Sequence, residues 1–210
     1  MHRVAGIVRF TLISISVLSL GLFIPVTSKA ASKTLDNLMT AFNGESNAHA
    51  KYLAYAKKAD QEGYGKVGSL FRAAALAEEI HLNNHAEVIK AMGGTPKADI
   101  NLPEIKSTRE NIADANKGES YERDVMYPQF IAQAQQEHNA DAVRTFTYAR
   151  EAEAQHAKLY GEALNNLKEW KVEKAEFSVC PTCGYTVASK PTFAACPVCA
   201  TPTKLYKSVI

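Results

Sequence analysis

The sequence predicts an all-α fold, a four-helix bundle, followed by a small metal-knuckle domain at the C-terminus. Three observations predict it. Four long segments carry apolar residues at helical spacing. The same segments place glutamate and histidine on faces that otherwise read as core, where ionisable groups are rare unless paired or metal-bound. Four cysteines crowd into the last 31 residues as two Cys-x2-Cys pairs.

The chain opens with Arg3 and Arg9 ahead of a 17-residue apolar run, "FTLISISVLSLGLFIPV", and then "TSKA", with Ser28 and Ala30 at the −3 and −1 positions of a cleavage site. This pattern predicts a secretory signal peptide over residues 1–30 and an exported, periplasmic mature chain. The run is at the short end of the spanning range and Pro25 interrupts it; an uncleaved N-terminal anchor is the alternative. Without Arg3, Arg9 and Lys29, 21 of the 24 basic residues face 22 acidic ones. The mature chain is close to neutral and has no basic tract interleaved with aromatics, so nucleic acid is not an expected partner. The full chain, 46 % hydrophobic and 22 % charged, has ordinary globular composition.

The first helix is expected from about Thr34 to Glu62, stopped by "GYG", and the second from about Lys66 to Met92, stopped by Gly93-Gly94. "TPKADINLPEIK" forms the longest connection. The third helix opens at "STRE", where Ser107 and Glu110 fit a capping box, and runs to about Glu137. Pro128 falls inside it and is expected to kink it or open its hydrogen-bond ladder. The fourth runs from about Ala140 to Glu169. These give a bundle over residues 31–172 with one long crossover, and a cysteine segment over 177–210.

Each helix offers acids at comparable depth: Glu45 on the first, Glu78 and His81 on the second, Glu122 on the third, Glu153 and His156 on the fourth. Residues three apart share a helix face, so each Glu-x-x-His aims a carboxylate and an imidazole inward. Single glutamates on two helices with Glu-x-x-His on the other two form the ligand set of di-iron carboxylate bundles. Two divalent ions close together need bridging anions to neutralise them and imidazoles to fix the outer positions. Tyr52 and His49 are candidates to hydrogen-bond a ligand carboxylate; for each, an ordinary core-edge role competes. His85 reads as a surface or ligand-supporting histidine, His138 as solvated, and Glu79, Glu119 and Glu151 as ordinary helix charges.

Cys180, Cys183, Cys196 and Cys199 have the spacing Cys-x2-Cys-x12-Cys-x2-Cys. Two knuckles place four thiolates tetrahedrally around iron or zinc, and so short a segment needs its metal to fold. That clustering suits a metal better than disulfides. The Cys-Pro-x-Cys and Cys-Gly-Tyr details, with Phe177, Phe193 and Tyr206 to wrap the site, favour a one-electron iron centre over zinc.

Taken together, "GES" at 44–46, "AEEIH" at 77–81, "GESYERDVMYP" at 118–128, "EAEAQH" at 151–156 and the cysteine knuckles give a chain that resembles the rubrerythrin family: a ferritin-like di-iron bundle with a rubredoxin-like iron domain. The resemblance covers the whole mature chain. It implies Glu45, Glu78, His81, Glu122, Glu153 and His156 as ligands of two irons, and the four cysteines around a third. It implies reduction of hydrogen peroxide to water, with electrons passing from the rubredoxin-like centre to the di-iron site and supplied by an upstream donor protein. It also implies a homodimer in which the small domain of one chain approaches the bundle of the other.

Two departures stand out. The family's best-known members are expected to carry a glutamate just before "MYP", to which one iron moves from the second-helix histidine; here that position is Val125. The export signal is the other, and it points to peroxide defence outside the cytoplasm. Competing functions are iron oxidation and storage on the same ligands, and passive electron carriage with a structural zinc knuckle.

Overall fold

The computed structural model describes residues 1–2 and 32–210; the expected signal peptide lies outside the described residues. Residues 32–210 fall within one unit. Its helices are α1 (Lys33–Gln61), α2 (Gly65–Ala91), α3 (Thr108–Tyr121), α4 (Tyr127–Gln136) and α5 (Ala140–Asn165), with a π-helical turn, Glu122–Met126, joining α3 to α4. Three short strands follow: β1 (Phe177–Val179), β2 (Thr186–Ala188) and β3 (Lys207–Val209). Among the described residues, no helix is long and apolar enough to cross a membrane.

Eight of the ten buried residues of α1 are spaced alternately by four and three: Thr34, Leu38, Ala41, Glu45, Ala48, Tyr52, Tyr55 and Ala59. That is a seam at 3.5-residue period, the pattern that packs one helix along another. On α2 the seam includes Val67, Leu70, Ala74, Glu78, His81, His85 and Val88; on α5 it includes Ala142, Ala149, Glu153, His156, Tyr160 and Ala163. The ionisable residues therefore occupy core positions, not gaps in the pattern. α1 and α2 pair along their length, and α3 and α4 lie successively against α5.

Caps confirm the expected helix limits. Ser32 caps α1, and the Ser107–Glu110 capping box starts α3 as the sequence indicated. Gly63 and Gly93 hold φ of 78° and 83° where α1 and α2 stop, a conformation cheap only for glycine. The expected third helix is continuous in direction but not in hydrogen bonding. Pro128 lacks an N–H, and just before it the Tyr127 N–H reaches back five residues to the Glu122 carbonyl. This inserts one residue into the helical register, so that Tyr127 rather than Met126 is buried. α5 ends at Asn165, four residues before the expected limit, and the chain turns so that Trp170 packs beside Phe177.

The apolar core forms two clusters. One holds Tyr52, Tyr55, Phe71, Ile112, Tyr160 and Trp170 and takes in Phe177 and Val179 of β1. The other holds Leu38, Ala41, Val88, Ile89, Tyr127 and Phe146. Along every helix the acids and histidines fall between the two. The strands form an antiparallel sheet in the order β2-β1-β3, and its first strand packs on α2 of the same chain.

Candidate metal centres

The layer between the apolar clusters holds two overlapping donor groups: Glu45, Glu78, His81 and Glu153; and Glu78, Glu119, Glu153 and His156. Within each group the donor atoms lie within 4.8 Å of one another. All six residues are essentially fully buried. Glu78 and Glu153 belong to both groups, and each histidine to one, so the arrangement has two acids in common and one acid and one imidazole at either end.

The imidazoles show what this layer is built to hold. His81 Nε2 lies 3.1 Å from the carbonyl oxygen of Cys183. A carbonyl only accepts, so Nε2 carries the ring hydrogen. In the neutral ring Nδ1 is then a lone pair, yet it faces Glu78 Oε2 at 2.8 Å and Glu153 Oε1 at 3.1 Å. His156 repeats the arrangement. Thr186 Oγ1 donates to the Gly184 carbonyl and so accepts from His156 Nε2, 3.1 Å away, leaving Nδ1 facing Glu153 Oε2 at 2.9 Å. Lone pairs opposed to carboxylates at these distances need a cation between them, either a proton or a metal ion. Glu45 Oε2, Glu78 Oε1, Glu119 Oε2, both Glu153 oxygens and His156 Nδ1 have no hydrogen-bond partner, which is costly inside a protein unless a metal ion takes them. The donor set, four carboxylates and two imidazoles oriented from behind, fits a pair of divalent ions.

Without metal the acids repel one another. Burial, with the charges of Glu153, Glu119 and Glu45, pushes Glu78 well above the carboxylate range. Burial and Glu153 raise Glu119 to about 7. Burial also opposes charge on Glu153, but His81 and His156 outweigh it and lower that carboxyl to about 2. Burial works against His156 too, yet Glu119 and Glu153 raise it to about 10.

Five of the six expected bundle ligands, Glu45, Glu78, His81, Glu153 and His156, come together as anticipated. The third helix differs. Glu119, expected to be an ordinary helix charge, is fully buried and supplies that helix's donor. Glu122 opens the π-helical turn, partly buried and outside both groups; burial and the nearby Glu45 and Glu119 push its carboxyl well up. Stepping by three from Ile112 to Ala115 and then by four reaches Glu119, so the signal for it is present in the sequence. Val125 is 39 % exposed and does not fill a ligand's space, because the inserted residue of the π-helical turn rotates it outward.

Tyr52 donates to Glu119 Oε1 at 2.6 Å, as a ligand-supporting tyrosine should. His49 does not reach the layer; its Nδ1 bonds the Ala75 carbonyl oxygen at 2.7 Å. His85, read as a surface or supporting residue, is fully buried behind Glu45, and burial lowers its pKa. His138 and Glu79 are exposed.

The four cysteines are free, and their sulfurs gather within 4.8 Å. Cys180–Cys199 and Cys183–Cys196 sulfurs are each 3.5 Å apart, near the roughly 3.8 Å edge of a tetrahedron with metal–sulfur bonds of about 2.3 Å. Each knuckle turn ends in a left-handed residue, Gly184 at φ 75° and Ala200 at φ 60°. Tyr148, Tyr185, Val198 and Tyr206 pack around the sulfurs. Phe177, expected to wrap this site, turns instead into the bundle core. The knuckle rests on its own chain's bundle through Cys183 on His81, Thr186 on His156 and the Thr182 carbonyl on Asn84. The resemblance implied an approach to a second chain.

Comparison with known proteins agrees with this geometry. The family model described as rubrerythrin matches residues 36–164. Nigerythrin of Nitratidesulfovibrio vulgaris is 41 % identical over 174 residues, covering 82 % of this chain and 85 % of that protein. Rubrerythrin-2 of Clostridium acetobutylicum is 36 % identical, covering 79 % and 91 %. A solved structure described as the fully reduced, all-ferrous state of nigerythrin superposes with a TM-score of 0.78 at 36 % identity, covering 88 % of this chain and 91 % of that one.

Proposed function

The chain belongs to the rubrerythrin family, and from that premise we propose that it is a non-haem di-iron peroxidase that reduces hydrogen peroxide to water. In this reading the bundle holds two irons, and the cysteine knuckle holds one iron that relays electrons from an upstream donor protein. The N-terminal pattern, read as an export signal, supports an activity outside the cytoplasm. When bound, the iron pair supplies the two electrons that cleaving the O–O bond consumes.

The chain's own residues do the rest. Glu78 and Glu153, common to both donor groups, would hold both ions; Glu45 with His81 and Glu119 with His156 would each hold one. Tyr52 holds Glu119 by its hydroxyl. The Cys183 carbonyl and Thr186 hydroxyl keep both Nδ1 lone pairs aimed at the layer. The flanking apolar clusters keep water from competing for the donors.

The observation that carries the reading is the 3.1 Å contact between His81 Nε2 and the Cys183 carbonyl oxygen. It joins a ring from the first donor group to the backbone of a knuckle cysteine. Iron storage needs no such connection, whereas a reductase that must refill its electrons does.

The test is anaerobic reduction followed by rapid mixing with peroxide and, separately, with oxygen. The thiolate-coloured knuckle should reoxidise through the bundle, faster with peroxide. About three irons per chain are expected from the donor sets. Zinc in the knuckle, or reoxidation by oxygen alone with iron mineral as product, would replace this reading with the storage one.

A further inference from the structure

His85 sits one helical turn beyond His81, fully buried and outside both donor groups. Both its ring nitrogens are engaged. Thr145 Oγ1 lies 2.9 Å from Nδ1, and Tyr127 Oη 3.2 Å from Nε2. Tyr127 in turn donates to Glu45 Oε1.

Counting hydrogens fixes the direction of this chain. The single hydroxyl hydrogen of Tyr127 is committed to Glu45, so towards His85 the tyrosine can only accept. Nε2 therefore carries the ring hydrogen, Nδ1 is an acceptor, and Thr145 is its donor. Every link then donates one way, from Thr145 on α5 through His85 on α2 and Tyr127 on α4 to Glu45 on α1. The same count removes His85 as a metal ligand, since neither nitrogen keeps a free lone pair. Its nearest carboxylate oxygen, Glu45 Oε1, is 3.9 Å from Nε2.

We propose that His85 and Thr145 are positioning residues that set the aim of the Glu45 carboxylate. A tyrosine hydroxyl can swing in the ring plane between two directions. Donation from His85 occupies one of its lone pairs and leaves the hydrogen pointed at Glu45 Oε1. Glu45 Oε2, which has no hydrogen-bond partner, is thereby left for the ion served by His81. Glu45 is the one donor that α1 contributes, so a misdirected Glu45 deprives that ion of a ligand while the Glu119–His156 ion keeps its set. The inference rests on the two-metal reading of the bundle.

Cobalt(II) titration of the metal-free full chain separates the two. Cobalt on thiolates absorbs intensely and cobalt on carboxylate and imidazole weakly, so knuckle and bundle ions are counted independently. Wild type should take two bundle ions; fewer than two overturns the two-metal reading itself. With two bound, His85→Leu and the isosteric Thr145→Val should each weaken one bundle ion by about 10- to 100-fold, the usual cost of losing a residue that orients a ligand. The other bundle ion and the knuckle ion should be unchanged. Thr145→Ser, which keeps the hydroxyl, should restore wild-type affinity, and nitrogen NMR of the metal-free protein should show the His85 hydrogen on Nε2. A purely structural role would weaken both ions together. Equal weakening of both, unchanged affinity in Thr145→Val, or the hydrogen on Nδ1 would overturn the inference, and Thr145→Val decides should His85→Leu not fold.

Discussion

His81 faces both metal centres at once: its Nδ1 lies 2.8 Å from Glu78 in the bundle, and its Nε2 lies 3.1 Å from the carbonyl oxygen of Cys183 in the knuckle. From the Cys183 sulfur the path runs through four covalent bonds to the carbonyl oxygen, then across one hydrogen bond to the ring. No alternative of comparable directness joins His156, whose Nε2 contacts the hydroxyl of Thr186.

This contact depends on Gly184. The residue sits at φ 75°, and a Cβ built on it would run into the His81 ring. Gly184→Ala should push the knuckle off His81 without removing any ligand. The expected result is retention of all metals with electron passage from knuckle to bundle slowed at least about tenfold, equivalent to about 1.4 kcal/mol on the barrier. Single-turnover reduction followed at the thiolate absorption measures it, and an unchanged rate would remove the contact from the path.

The third helix gives a paired prediction. Glu119 is fully buried within ligating reach, and Val125 is exposed. Glu119→Ala should cost the bundle at least one ion while the knuckle keeps its own, and Val125→Ala should leave metal content and turnover as they were. Metal analysis of both variants checks this. Loss of metal in Val125→Ala would mean that the turn packs differently from the arrangement described.

Much of this site was legible because helical spacing is rigid. A 3.5-residue seam that admits Leu38 and Ala41 must also admit Glu45, and the same counting places Glu78, His81, Glu153 and His156 inside. Glu119 was equally countable from Ile112 and Ala115. Glu122 lies one turn further on the same face and nearer "MYP", so spacing alone does not choose between the two. What spacing alone does not encode is the extra residue in the π-helical turn; Pro128 marked where the ladder would open, not whether it would kink or lengthen. The burial of His85 depended on Thr145 and Tyr127 from other helices, and the direction in which the knuckle folds back depended on Trp170 finding Phe177.

Away from the metals, Glu62 ties two helices together. Its Oε2 accepts from the Thr108 N–H at 2.8 Å and the Thr108 hydroxyl at 2.6 Å, satisfying the open first turn of α3. The Thr108 hydroxyl and N–H, with Lys58, lower its pKa from 4.5 to about 2. A lowered acid stabilises the folded state above its unfolded pKa and loses that contribution as pH falls towards the folded one. Glu62→Gln should therefore cost about 1 kcal/mol at pH 7, and the gap in Tm between wild type and variant should narrow as pH drops below 4.5. Thermal melts of both proteins in parallel cancel any effect of acid on the metals. A gap that stays constant down to pH 3 would show that the charge of Glu62 contributes nothing.

The knuckle's placement on its own bundle makes a prediction about mixtures. Cys183→Ser disables the knuckle and leaves the bundle donors intact; Glu153→Ala removes a carboxylate common to both donor groups and leaves the cysteines intact. Neither variant should turn over with an external donor. If Cys183 serves His81 of the same chain, as the 3.1 Å contact places it, every chain in a co-refolded mixture carries one broken half, and no activity returns. If knuckles instead serve the bundle of a partner in a dimer, mixed dimers join an intact knuckle to an intact bundle, and a substantial fraction of turnover comes back. Dimerisation by itself does not distinguish the cases, since two chains can associate while each keeps its own relay. Peroxide turnover of the mixture, beside size determination of the same sample, separates them. Recovered activity would show that the knuckle crosses to a second chain.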